Sequence, residues 1–299
     1  MAVRSPYIDP EVYNRVQKLV LRARAIVEGT IVGQHRSPYH GFSVEFRQHR
    51  EYAPGDDLRY LDWKVFGRSD RFFLKQYEQE TNFIGHILVD LSESMRYGSA
   101  EGRTKAEYAK LFAATLSYLI LMQRDAVAVS VFTDRVIEYI PPSTNPAHLQ
   151  RICHLFETTP PAEKTDMGAI LSEFASRLRR RGVVVVISDF FDDPDRILHG
   201  LQYLKFNRHD LIIFQVLDEF ERSFPFRGLV RFDGMENEGI FRMQPERIRR
   251  SYQELFAGFC EGLKAGCERM NVDFQQIVTA RPVDAALREY LARRSRTGC

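Results

Sequence analysis

Residues 183–189 read VVVVISD: four valines and an isoleucine in unbroken succession, then a serine and an aspartate. A strand with one wet face alternates apolar and polar side chains, whereas a strand apolar at every position is covered on both faces. Helices on both sides of a parallel sheet supply that cover, so this run points to an α/β fold. Further strands read at NFIGHILVD (82–90), DAVAVSVF (125–132), HDLIIFQVLD (209–218) and VDFQQIV (272–278), with DRVIEYI (134–140) pairing with the second of these or continuing the sheet edge. Between them, helices read at 104–123, 145–157, 165–182, 194–206, 245–271 and 282–294. Asn145 is placed as a cap with Pro146 at the first helical position, and Gly182 as a helix end. The expected architecture is a doubly wound, mainly parallel sheet flanked by helices over residues 83–294, with a hairpin insertion near 228–243 and a frayed tail at 295–299.

Residues 1–82 read differently. Val12, Val16, Leu19, Val20, Ala23 and Ile26 share one face of a helix over 10–28. After it, short aromatic and charged runs alternate with turn signals such as SPYHG and APGDD, the pattern of a small β-rich segment.

The totals exclude several classes. The 42 basic and 40 acidic side chains leave a net charge of +2, with no global attraction to nucleic acid. Residues 45–80 carry seven Lys/Arg against eight Asp/Glu, so phosphate meets no positive stripe there either. Four cysteines without a CxxC pair suit a reducing compartment. The start MAVRSPYIDPEVYNRV lacks the apolar core of a signal peptide, and no run approaches the ~20 apolar residues of a membrane helix. The reading is cytoplasmic.

The chemistry concentrates where strands end. In ILVDLSESM (87–95), Asp90, Ser92 and Ser94 recur at every second place and can project to one side. One carboxylate with two hydroxyls suits a hard cation such as Mg²⁺; the alternative is a helix cap, in which the same oxygens accept backbone amides. Thr165 and Asp166 precede a helix, where a cap is again the alternative. Asp189 closes the most apolar strand. Two such carboxylates side by side repel unless a cation lies between them. In open α/β sheets the carboxyl ends of the strands, near the point where strand order reverses, are where ligands gather; Asp218 falls along that edge too.

These residues resemble the metal-ion-dependent adhesion site of von Willebrand factor A domains, whose pattern is Asp-x-Ser-x-Ser, a distant Thr and a distant Asp. The resemblance implies Asp90, Ser92, Ser94, Thr165 and Asp189 as ligands of Mg²⁺, with Mn²⁺ or Ca²⁺ as substitutes. Where that family often has Thr-Asp-Gly, this chain has Ser188-Asp189-Phe190, a departure that bears on the loop geometry. The preceding segment, REYAPGDDLRYLDWKVFGR, is similar to the bacterial family catalogued as domain of unknown function 58. That resemblance implies work beside MoxR-type AAA+ ATPases in chaperone-like maturation of client proteins. In this segment Arg50, Asp56, Asp57, Arg59, Asp62, Trp63 and Arg68 are candidates for partner binding; the alternative is an ion-pair lattice fastening the segment to the main domain, with Trp63 and Phe66 in the joint.

Enzymatic motifs are missing: there is no GxxxxGK[ST] or GxGxxG loop and no GxSxG elbow. An aspartate-based phosphotransferase with Asp90 as nucleophile would want Asp or Thr at position 92 and a lysine near the phosphate; position 92 is serine. The sequence reading is a metal-dependent adaptor without catalysis, the alternatives being that phosphotransferase or a module merely stabilised by its metal.

Overall fold

The computed structural model describes residues 10–31, 44–51, 65–67, 72–79, 84–99, 103–162, 166–178, 180–234 and 239–297. Two compact units are present, Ser37–Phe83 and the remainder. In the smaller, β1 (Val44–Glu51) pairs antiparallel with β2 (Phe73–Gln79), with a register shift between Phe46 and Gln48. Phe66 stacks on Phe72 of the same segment, ring centroids 4.4 Å apart.

The larger unit is built on β3 (Ile84–Asp90), β4 (Ala126–Phe132), β5 (Val136–Ser143), β6 (Val183–Ser188), β7 (Asp210–Leu217) and, after a separate hairpin of β8 (Val230–Asp233) and β9 (Ile240–Met243), β10 (Asp273–Val278). The six-stranded sheet runs β10-β7-β6-β3-β4-β5, parallel throughout except for β5. Numbered by their order along the chain from β3, the strands run 3-2-1-4-5-6 from the β5 edge, the doubly wound arrangement. Every residue of β6 is buried, as its unbroken apolar run requires.

The helices are α1 (Pro10–Ile31), α2 (Lys105–Met122), α3 (His148–Thr158), α4 (Met167–Arg177), α5 (Pro194–Phe206), the short α6 (Glu219–Ser223), α7 (Pro245–Arg269) and α8 (Val283–Thr297). Alternation along the strands sorts side chains between two layers. Val184, Val186, Leu211 and Ile213 join one core cluster with Ile170 and Phe174 of α4, Leu201 of α5 and Leu263 of α7. On the other face, Phe214 meets Phe112 of α2 and Tyr290 of α8, ring centroids 4.7 Å and 4.9 Å apart. Each such fully buried apolar side chain contributes about 1.5–3 kcal/mol. Among the described residues no helix is long and apolar enough to cross a membrane.

Several boundaries differ from the sequence reading. The helix at the N-terminus lies against α2 and α3, burying Val16, Leu19, Val20, Ala23 and Val27; it belongs to the larger unit, not with the β-rich segment. Asn145 does not cap α3: its side chain accepts from Ala147 N at 2.9 Å, forming a turn, and the helix starts at His148. The helix expected to reach Gly182 stops at Arg177. Gly182 instead leads into β6, where a Cβ would lie 2.4 Å from the carbonyl oxygen of Ile84; close backbone approach, not a helix end, calls for glycine there. The expected tail is helical as far as Thr297.

Candidate metal centre

Sheet register brings the first acidic residue to its neighbours. Val89 of β3 is level with Ile187 of β6, so Asp90 lies next to Ser188 at the ends of adjacent parallel strands. This is where strand order reverses, between the first and fourth strands of the sheet. Asp90 is buried; its Oδ2 accepts from Ser188 Oγ at 2.5 Å and its Oδ1 from Ser92 N at 2.8 Å. The latter bond turns the chain into a 3-10 turn at Glu93–Arg96. Ser92 occupies the cap position of that turn but its side chain makes no capping bond; its Oγ lies 3.1 Å from Ser94 Oγ. Asp90 thus accepts the amide of the cap residue itself, a local turn and not a helix cap, while the two serine hydroxyls meet each other.

Asp189 follows β6 directly and is buried as well. Its Oδ2 accepts from Lys105 Nζ at 2.7 Å, its Oδ1 from Phe191 N at 3.2 Å, and its carbonyl from Gln215 Nε2 at 3.2 Å. Phe190 adopts φ +59°, the left-handed region, at the place where the von Willebrand pattern often has glycine. The departure noted in the sequence thus changes the residue and keeps a glycine-like backbone, with the ring buried in the core cluster.

Lys105 is the residue that sequence reasoning missed. It is fully buried at the first position of α2, bonded to Asp189 and to Glu221 Oε1 at 2.6 Å, with the Phe191 and Tyr97 rings 4.8 Å and 5.9 Å from its ammonium. One signal was available: a lysine at the start of a helix faces the positive end of the dipole and needs another reason to be there. Burial alone would lower the Lys105 pKa; the Asp189 and Glu221 carboxylates outweigh it and hold the ammonium above its ordinary value. Burial, and next the Asp189 charge, push Asp90 well above the usual carboxylate range, against hydrogen bonds from Ser188 and Ser92.

Asp218, the third acidic strand end, has a different role. It caps α6 and accepts from Phe220 N at 2.8 Å, Ser99 N at 3.0 Å, Ser99 Oγ and Thr279 Oγ1 at 3.0 Å. It ties three loops of the edge together. Asp166, likewise, caps α4 by accepting from Ala169 N at 3.0 Å. Thr165 lies outside the described residues, as do Asp56, Asp57, Arg59, Asp62, Trp63 and Arg68; Arg50 is on β1, in register with Leu74.

A divalent ion suits part of this set. Metal–oxygen bonds of ~2.0–2.1 Å place neighbouring ligands of an octahedron roughly 3 Å apart. The Ser92 and Ser94 hydroxyls, 3.1 Å apart beside the Asp90 carboxylate, match such an edge. Among the described residues no three His, Cys, Asp or Glu side chains form a cage, so hydroxyl oxygens would have to serve as ligands. Asp189 has one oxygen held by Lys105 and would reach an ion through the other or through water.

An uncharacterized protein of Mycobacterium bovis and one of Mycobacterium tuberculosis are each 26% identical over 243 residues, 80% of this chain and 75% of theirs. Among solved structures, the conserved hypothetical protein BatB of Bacteroides thetaiotaomicron shares 13% identity, covering 72% of this chain and 99% of that one, with a TM-score of 0.49. The SpRpn10 VWA domain shares 13% identity, covering 69% of this chain and 94% of its own, with a TM-score of 0.39. Residues 48–258, well over half of the chain, match the family described as protein of unknown function DUF58, and the chain belongs to that family.

Proposed function

We propose that this protein is a cytoplasmic adaptor that binds a partner protein's carboxylate through a divalent cation, Mg²⁺ by preference, held by Asp90, Ser92 and Ser94. The observation that carries the reading is the meeting of a buried carboxylate with two mutually facing hydroxyls at the topological switch point. By the von Willebrand resemblance Thr165 completes the set, with Asp189 direct or through water. The cation supplies a Lewis-acidic position open to an incoming Asp or Glu. The chain's own residues orient the donors: the Ser92 amide and Ser188 hydroxyl hold both oxygens of Asp90, and Lys105 holds Asp189. Hydroxyl ligands carry no charge, which leaves the cation able to attract a carboxylate. The DUF58 resemblance makes a MoxR-type AAA+ ATPase and its client the partners, with no catalysis by this chain. The described cysteines Cys153, Cys260 and Cys267 are buried free thiols, which favours a reducing compartment.

The test is retention of proteins from native lysate on immobilised wild type and Asp90→Ala, with Mg²⁺ or with chelator. An AAA+ ATPase or client held only by wild type, and only with Mg²⁺, is the expected result; identical retention in all four conditions refutes it. One observation bears on the second reading, phosphotransfer with Asp90 as nucleophile, which wants a lysine near the phosphate: Lys105 is bonded to Asp189 on the adjoining strand end. That reading predicts Mg²⁺-dependent phosphoester turnover lost in Asp90→Asn.

A further inference from the structure

Lys105 is in a costly place. It is fully buried, and it starts a helix, where the dipole disfavours a cation. Its return is geometric: an ammonium 2.7 Å from Asp189 and 2.6 Å from Glu221 joins the start of α2, the end of β6 and the short helix α6. Asp90 adds another acidic group on the adjoining strand end, and its charge and that of Asp189 repel. Asp189 therefore has two claimants: the ammonium on its Oδ2 and any divalent ion bound beside Asp90.

We propose that Lys105 is a resident cation that positions Asp189, holding the carboxyl edge in shape without a divalent ion and competing with that ion for the charge of Asp189. The inference rests on the metal-bridge reading above, and it deepens that reading by naming what tunes the affinity of the site. Two neutral substitutions move the competition in opposite directions. Lys105→Met, close to lysine in length, releases Asp189 to the ion. Glu221→Gln removes the second negative charge and leaves the ammonium charge balanced by Asp189.

The experiment is calorimetric titration of MgCl₂ into the full chain for wild type and both variants, with melting curves in chelator and in Mg²⁺. Lys105→Met binds Mg²⁺ about tenfold more tightly, inside the roughly 5–150-fold range of ordinary couplings, and its melting point depends more on Mg²⁺ than that of wild type. Glu221→Gln binds more weakly. A plain structural ion pair lowers stability in both variants and leaves Mg²⁺ affinity unchanged, which overturns the proposal. If Lys105→Met does not fold, Glu221→Gln decides alone: weaker uptake supports the proposal and unchanged uptake overturns it. Failure of the underlying reading has its own signature, since wild type then takes up no Mg²⁺ at all, and the inference falls with it.

Discussion

Acid should unfold this protein partly through one histidine. His86, in the middle layer of the sheet on β3, is 5% exposed, and neither ring nitrogen has a hydrogen-bond partner. Burial, and secondarily the nearby His209, lower its pKa from 6.5 to about 4. A depressed value means the folded state resists the proton, so His86 is neutral stability's ally above the unfolded pKa and a liability as pH falls toward the folded one. The difference of about 2.5 units corresponds to roughly 3 kcal/mol once both states are protonated, and about 2 kcal/mol is lost by about pH 5. Asp90 works in the opposite sense, because its raised value makes protonation favour the folded state. The measurement is therefore a difference: urea unfolding of wild type and His86→Leu at about pH 7.5 and about pH 5. Wild type should lose about 2 kcal/mol more than the variant between the two conditions. An equal loss in both proteins would refute the assignment of that acid sensitivity to His86.

Asp90→Asn should raise the stability of the metal-free protein by on the order of 1 kcal/mol, by removing a buried charge beside Asp189, and should abolish stabilisation by Mg²⁺; melting with and without the ion checks both. Phe190→Ala should cost about 3–5 kcal/mol through the lost ring. Phe190→Gly should be the more stable of the two by about 1 kcal/mol, the reverse of the usual order, because residue 190 has a left-handed backbone; denaturant midpoints of the pair decide it. Thr104→Ala should cost about 1 kcal/mol in the same assay, since Thr104 and Glu107 form a reciprocal capping box at the start of α2.

The strands and the carboxylates at their ends were legible because their signals are local. Five successive apolar side chains in β6 require cover on both faces wherever the rest of the chain goes. The DLSES spacing likewise places Asp90, Ser92 and Ser94 together within one turn of backbone. The misplaced boundaries have a different origin. Gly182 looks the same as a helix end or as a point of close approach, and only the neighbouring carbonyl of Ile84 distinguishes them. The periodicity of α1 marked a buried face without saying against what, so its place on α2 and α3 could not be read from it.

From the sequence alone came the class of fold, the edge where chemistry gathers and the acidic residues on it, all consequences of periodicity and of what a strand end can present. Tertiary structure alone decided which cation answers Asp189. Lys105, Asp189 and Glu221 stand on three elements far apart in the chain, and their meeting depends on sheet order and helix packing. Ion pairing acts through space over a few ångströms, and spacing along the chain carries no record of that distance.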